Sequence, residues 1–303
     1  MNGGSIEFNR RQFAVGAAVA AAALARPHRL LAKADPKPRY KICAFTKFLQ
    51  KLSFDELADE MAAAGFDGVE VTARAKDSCI HPERAEEELP KLHEALSKRG
   101  LEFMILTTDA LTADQPHVEP MLRVAAGLGI KRYRLGFLRY DLEQPILRQL
   151  EAYEPVIRDI AAMNREIGIA GVYQNHCGAD MMGATVWDLH QLIKDYPVSE
   201  IGCVFDIRHA VVEAGEAWPI YFDLMKPHLG AVSVKDFRWN ERKSQHAPLG
   251  KGLLDPKFFK MLGQTDFAGP VSIHVEYLPK GSTQENVAAL KADLATLREW
   301  IEA

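Results

Sequence analysis

From residue 40 onward the chain alternates between two hydrophobic periods. Short runs rich in β-branched, aromatic and small apolar residues fall at Tyr40–Phe45, Gly68–Ala73, Glu102–Thr107, Arg132–Gly136, Ala170–Gln174, Gly202–Asp206, Gly230–Lys235 and Pro270–Glu276. Each reads as a strand, because these side chains fit a pleated, buried surface. The stretches between them carry apolar residues at helical spacing. "FDELADEMAAAG" is one, and "RAEEELPKLHEALSKRG" is another, with Leu89, Leu92 and Leu96 on one face and Gly100 as the stop. "RYDLEQPILRQLEAYEPVIRDIAAMNREIG" predicts one long helix with a lead-in, and "TQENVAALKADLATLREWIEA" predicts the last helix. Regular β/helix alternation predicts parallel strands with right-handed crossovers. Eight units predict a closed α/β barrel, a single (βα)8 TIM barrel. A doubly wound open sheet is the alternative. It would want a glycine-rich phosphate loop after the first strand, and "CAFTKFLQKLS" is not one, so no nucleotide cofactor is expected. The polar, glycine-bearing segment Arg238–Asp255 follows strand seven and is expected to be a mobile loop over the barrel mouth.

The N-terminus breaks this pattern. Arg10-Arg11 precede Phe13 and the run "AVGAAVAAAALA", which is too short for a membrane span of ~20 residues. A charged start, apolar middle and small-residue exit read as an export signal of the twin-arginine type, with periplasmic or other exported localisation. Cleavage is placed after "AKA", before Asp35, or alternatively after "ALA". The organisation is then a signal and linker at 1–34 and a barrel at 35–303. A chance Arg-Arg before an alanine-rich helix is the plainer reading. The 303 residues carry a formal charge of −4, which becomes −8 once residues 1–34 are removed, leaving 32 basic and 40 acidic side chains. That sign argues against nucleic acid as a partner and suits a neutral or weakly charged small molecule. No membrane association is expected after cleavage, and self-association stays open. Cys43, Cys79, Cys177 and Cys203 lack CxxC spacing and read as buried free thiols.

Alternation along a strand sorts the polar residues. If the last polar residue of each strand points into the mouth, strand two offers Glu70 and Thr72, and strand four Arg132 and Arg134. Strand five offers Gln174 and His176, strand six Asp206, strand seven Ser233 and Lys235, and strand eight Ser272, His274 and Glu276. Barrel enzymes place their chemistry at that end. Each residue also has a structural explanation. Glu276 could pair with Lys235 and Arg134 with Glu70. Asp206 and His209 could cap a helix, and His274 could be a packed, hydrogen-bonded histidine. His81, His117 and His246 read as surface residues.

"FDELADEMAAAGFDGVEV", "YQNH", "FDIRHA", "VSVKD", "PLGKGLLD" and "HVEY" occur in an order and spacing that resembles the xylose isomerase-like barrel superfamily over residues 40–300. The resemblance implies sugar isomerase, epimerase, dehydratase or lyase chemistry. It also implies one divalent metal, commonly manganese, held by a glutamate, an aspartate, a histidine and a second glutamate. Those positions fall on Gln174, Asp206, Ser233 and Glu276, so two of the four depart from the pattern. Gln174, Asp206 and Glu276 could hold Mn, Mg or Ca as a degenerate site with Ser233 in place of the histidine, and His274 could substitute as a ligand. Alternatively the site works without metal, and Lys235 supplies the positive charge. Gln174 is neutral and cannot act as a base.

These residues predict proton transfer next to a carbonyl of a free sugar, keto-sugar or glycoside. Glu276 is the candidate base. Lys235 is the oxyanion stabiliser, and His176 is a proton shuttle. His209, Gln174, His274 and Arg134 are candidate substrate contacts. Loss of a second base at Gln174 favours one-sided reactions over two-base epimerisation. A catalytically inactive carbohydrate-binding barrel is the competing reading.

Overall fold

The computed structural model describes residues 40–303, and Tyr40–Ala303 form one compact unit. The twin-arginine segment lies outside the described residues. Eight parallel strands close on themselves: β1 (Ile42–Phe45), β2 (Gly68–Ala73), β3 (Glu102–Thr108), β4 (Arg132–Arg134), β5 (Ala170–Gln174), β6 (Ile201–Asp206), β7 (Leu229–Val234) and β10 (Val271–Ile273). β10 pairs with both β1 and β7, which completes the ring. The expected (βα)8 barrel is therefore the observed architecture. Among the described residues no helix is long and apolar enough to cross a membrane.

Local sequence explains the helices. Ser53 caps the first, Phe54–Ala64: its hydroxyl accepts from the Glu56 N–H while the Glu56 carboxylate accepts from the Ser53 N–H. This reciprocal box satisfies two donors that a helix start leaves open. Gly65, at φ +89°, ends the helix in the left-handed region. Leu57, Ala58 and Met61 form its buried face. The last helix, Thr283–Glu302, starts on the same kind of box between Ser282 and Glu285.

The barrel interior is stratified. Cys43, Ile105, Val172, Val204 and Ala231 form an apolar plug low in the barrel. One pleat repeat higher come Thr107, Arg134, Gln174, Asp206 and Ser233, all buried. Highest are His176, Lys235 and Glu276. The strands thus change from apolar to polar toward their C-terminal ends, as expected where loops build a site.

β4 and β10 are shorter than their sequence runs suggest; beyond Ile273, His274 and Glu276 leave the ladder to line the mouth. A larger departure concerns Arg238–Asp255, which is not a loose lid. Residues 236–247 form an antiparallel hairpin, β8 (Asp236–Asn240) and β9 (Lys243–Ala247). Beyond it, the buried Asp236 carboxylate accepts from the N–H groups of Phe237, Gly250, Gly252, Leu253 and Leu254 at 2.8–3.0 Å. A side chain at position 252 would collide with Asp236, since an added Cβ would sit 2.1 Å from Oδ1. "PLGKGLLD" is therefore a carboxylate-pinned turn, which sequence polarity alone could not distinguish from a mobile loop.

Candidate active site

A cleft at the C-terminal mouth is lined by Phe45, Lys47, Arg74, Arg134, Phe137, Gln174, His176, Lys235, His274 and Glu276. Its space outside protein atoms, open mouth included, is about 310 Å³. Its cavity volume is about 70 Å³, below the ~300–1,000 Å³ usual for ligand pockets. A depression of about 400 Å³ lies at the opposite end of the barrel, beside Lys41, Glu102, Lys131 and Pro270. Arg132, expected in the mouth, lines this opposite depression instead, and the other strand-end residues considered above do not, so the mouth is the candidate site.

Lys235 is the centre of one network. Its ammonium, 4% exposed, lies 3.2 Å from Asp206 Oδ2 and 3.2 Å from Glu276 Oε2. Burial alone would drive its proton off, but the two carboxylates more than offset this and raise its pKa. Glu276 is half-buried, and although burial opposes its charge, Lys235, followed by His274 and Lys47, holds its pKa well below the usual carboxylate range. His246 lies 3.5 Å and Lys47 3.8 Å from the Glu276 carboxylate. His246, expected at the surface, is instead brought to the site by the hairpin.

Asp206 has two jobs. It caps the helix Ile207–Ala214 by accepting from the His209 N–H, and its other oxygen meets Lys235 and Gln174. Gln174 donates its amide N–H to Asp206 Oδ2 at 2.7 Å. An ionised carboxylate can only accept, which orients that amide. Asn175 exchanges two hydrogen bonds with the Asp206 backbone and ties β5 to β6 beyond the ladder.

His176 faces the cleft, packed on Phe137 and on His209, with ring centroids 4.8 and 3.9 Å away. Its Nδ1 contacts the Cys177 carbonyl at 2.8 Å, so Nδ1 carries the hydrogen and Nε2 keeps a lone pair. Burial, then the charge of Lys235, lowers its pKa to about 4. His209 sits behind it and does not line the cleft. The expected substrate contact is therefore placed one layer back. Its Nδ1 lies 3.0 Å from Arg208 Nη1 and 3.0 Å from Cys177 Sγ. Because a guanidinium only donates, Nδ1 must accept. Burial first, then the charge of Lys235, keeps His209 well below its usual pKa.

A second network centres on Glu70, 1% exposed. Its oxygens accept from Thr107, Ser272 and His274 at 2.6, 2.6 and 2.9 Å and pair with Arg134 at 3.1 Å. Burial opposes ionisation, but His274 and Arg134 outweigh it and push the pKa well below the usual range. Arg134 also lies over the Phe45 ring. Arg134 and His274 reach the cleft wall, but their polar atoms serve Glu70. Ser233 contacts His274 at 3.3 Å instead of facing Asp206 and Glu276.

The four positions that the resemblance assigns to a divalent metal do not form a donor set for one. Gln174 presents an N–H toward Asp206, Ser233 is turned to His274, and the Lys235 ammonium already bridges the two carboxylates. His176, Cys177 and His209 form another cluster with metal-ligating atoms, all within 4.8 Å. There the Arg208 guanidinium stands 3.2 Å from Sγ and 3.0 Å from the His209 lone pair, so a protein-borne cation again holds the position.

Arg74, Lys47, Phe45, Phe137, Arg208 and His246 were not legible as site residues. Parity could have found Arg74, which lies two residues past Thr72 on the same face. Nothing local marks Arg208 or His246.

The xylose isomerase-like TIM barrel family matches residues 58–300. The chain belongs to this family. No curated protein matches the sequence. Among solved structures, a putative xylose isomerase from Rhodospirillum rubrum superposes with TM-score 0.70 at 17% identity, covering 86% of this chain and 99% of that one. The 3-keto-D-glucoside 4-epimerase YcjR from E. coli gives 0.67 at 17%, covering 86% and 99%. The IOLI protein with a bound zinc atom gives 0.66 at 16%, covering 87% and 100%. The zinc of that neighbour makes a divalent metal plausible on this fold.

Proposed function

We propose that this family member catalyses proton transfer at a carbon next to the carbonyl of a small carbohydrate, a free sugar, keto-sugar or glycoside. The observation that carries the reading is Lys235, a buried ammonium held between Asp206 and Glu276 at the wall of the cleft. A substrate carbonyl placed against Lys235 gains a fixed positive partner for the charge that develops on its oxygen. Ionised Glu276 takes the α-proton. The C–H bond breaks, its electron pair forms the enediolate C=C bond, and the former carbonyl oxygen carries the negative charge beside Lys235. Return of the proton to the neighbouring carbon completes an isomerisation; alternatively a β-hydroxyl takes that proton from Glu276 and leaves as water while the carbonyl re-forms, which completes an elimination. Neutral His176, with a free lone pair at Nε2, relays a hydroxyl proton. His209 positions His176 by stacking from behind. Gln174 holds Asp206 and supplies no base, which favours these one-sided reactions over two-base epimerisation.

No step is assigned to a divalent ion. Metal analysis of the purified protein is expected to find less than one equivalent, and chelation is expected to leave turnover unchanged. The direct test is solvent deuterium exchange into a panel of ketoses, aldoses and keto-glycosides followed by NMR. Exchange that vanishes in Glu276→Gln supports the reading. Saturable binding with no exchange or turnover would replace it with the carbohydrate-binding alternative.

Residues 1–34 are proposed as the twin-arginine export signal, supported by Arg10-Arg11 and the alanine-rich run that follows. Arg10→Lys together with Arg11→Lys is expected to retain the precursor in the cytoplasm. Unchanged export of that variant would remove the assignment.

A further inference from the structure

The cleft has a charge surplus that the proposed chemistry does not use. Four cationic side chains line it: Lys47, Arg74, Arg134 and Lys235. Three carboxylates answer them. Arg134 is paired with Glu70, and Lys235 with Asp206 and Glu276, while Lys47 lies at longer range from Glu276. Formal charge over these seven groups is therefore +1, with Asp109 as a further carboxylate at longer range from Arg74.

The surplus falls on Arg74. It follows Ala73 at the end of β2, on the same strand face as Glu70 and Thr72, which turns it into the mouth. Its backbone N–H is bound by Ser78. Its guanidinium, by contrast, has neither a hydrogen bond nor a carboxylate within 4.0 Å among the described residues. Glu70, Asp109 and Glu276 act on it only at longer range. Burial lowers its pKa only to about 10, so it stays charged near neutral pH. Half-buried and unpaired at the cleft wall, this guanidinium presents a planar fork of donors that matches a carboxylate in particular.

We infer that the substrate carries a carboxylate, that Arg74 binds it, and that the ligand class is a sugar acid rather than a neutral sugar. The inference rests on the proposed reading of the cleft as a carbohydrate site. Arg74 is the one cation lining the cleft without an ion pair among the described residues, which matches a single carboxylate. A phosphate monoester would bring close to two negative charges, and neither a glycine-rich loop nor a helix N-terminus lines this cleft to receive them.

The test reads binding, not turnover. A panel of aldonic, uronic and keto-aldonic acids is titrated calorimetrically, each beside the neutral sugar of the same configuration, with sugar phosphates and inorganic phosphate as a separate arm. At least one acid is expected to bind roughly tenfold or more tightly than its neutral counterpart, as one charge-assisted contact implies. That preference should shrink with added salt, vanish in Arg74→Gln and return in part in Arg74→Lys, both checked for folding by circular dichroism. The inference is overturned if no acid in the panel outbinds its counterpart, if folded Arg74→Gln keeps the preference, or if phosphates bind best. Tight acid binding without deuterium exchange would sink the proposed reaction and leave this inference standing. Exchange into neutral sugars, with no acid preferred, would do the reverse.

Discussion

Glu70, buried, and Glu276, half-buried, are both ionised glutamates at the barrel mouth, and they differ in how completely they are satisfied. Glu70, on β2, is enclosed by two hydroxyls, an imidazole and a guanidinium, with contacts of 2.6–3.1 Å. Glu276, after β10, keeps 15% of its side chain exposed and faces Lys235, His246 and Lys47 at 3.2–3.8 Å. A carboxylate with every acceptor position filled has nothing left for a substrate. One with longer contacts and an open face can exchange a partner for a reacting group. The Glu70 network, drawn from β2, β3, β4 and β10, is thus closed on itself, and the groups proposed to react come from the ends of β5, β7 and β10. Depressed pKa values alone do not separate them, since both glutamates are pushed in the same direction.

The sharpest way to break this comparison is to exchange the expected consequences. Glu276→Gln should lower deuterium exchange into a turned-over carbohydrate by ~10²–10⁴-fold while leaving the unfolding midpoint almost unchanged. A variant that instead unfolds would place Glu276 with Glu70. Next in size, Glu70→Ala leaves Arg134 buried without its partner. It should cost about 3–5 kcal/mol in denaturant unfolding. A stable Glu70→Ala protein would show that the network is not structural.

Titration sharpens the contrast further. The folded-state pKa of Glu70 lies below its ordinary value of 4.5. Its contribution to stability is therefore present above about pH 4.5 and is lost as pH falls below it. His176, lowered to about 4, remains neutral well below its ordinary 6.5. Where its lone pair relays a proton, the acid limb of the rate profile should lie near pH 4, with no inflection near 6.5. His176→Asn should remove that limb, and an inflection near 6.5 would contradict the assignment.

The smallest expected effect is that of Lys47→Met. Lys47 is 40% exposed and 3.8 Å from Glu276, so its loss should change stability by less than ~1 kcal/mol. A larger change would mean that Glu276 is held as tightly as Glu70.

Periodicity alone determined the fold class. Eight β-rich runs with helical stretches between them have few ways to bury their apolar faces, and the closed barrel is the one observed. Parity determined which end of each strand carries polar groups, because side chains must alternate along a strand. That brought Gln174, His176, Asp206, Lys235 and Glu276 together before any coordinates. What alternation cannot encode is pairing across the barrel. Whether Glu70 or Asp206 takes a given cation depends on side-chain reach between strands distant in sequence, such as Ser272 meeting Glu70 across 202 residues. The same limit hid His246, which a hairpin folds back onto Glu276, and Arg208, which turns under His209. It also hid the order of Arg238–Asp255, whose polarity suggests a mobile loop but whose backbone is pinned by one buried aspartate. Tertiary structure alone decided that Lys235 stands between Asp206 and Glu276 while Arg74 stands free, because charge balance is a property of neighbours in space and not of neighbours in sequence.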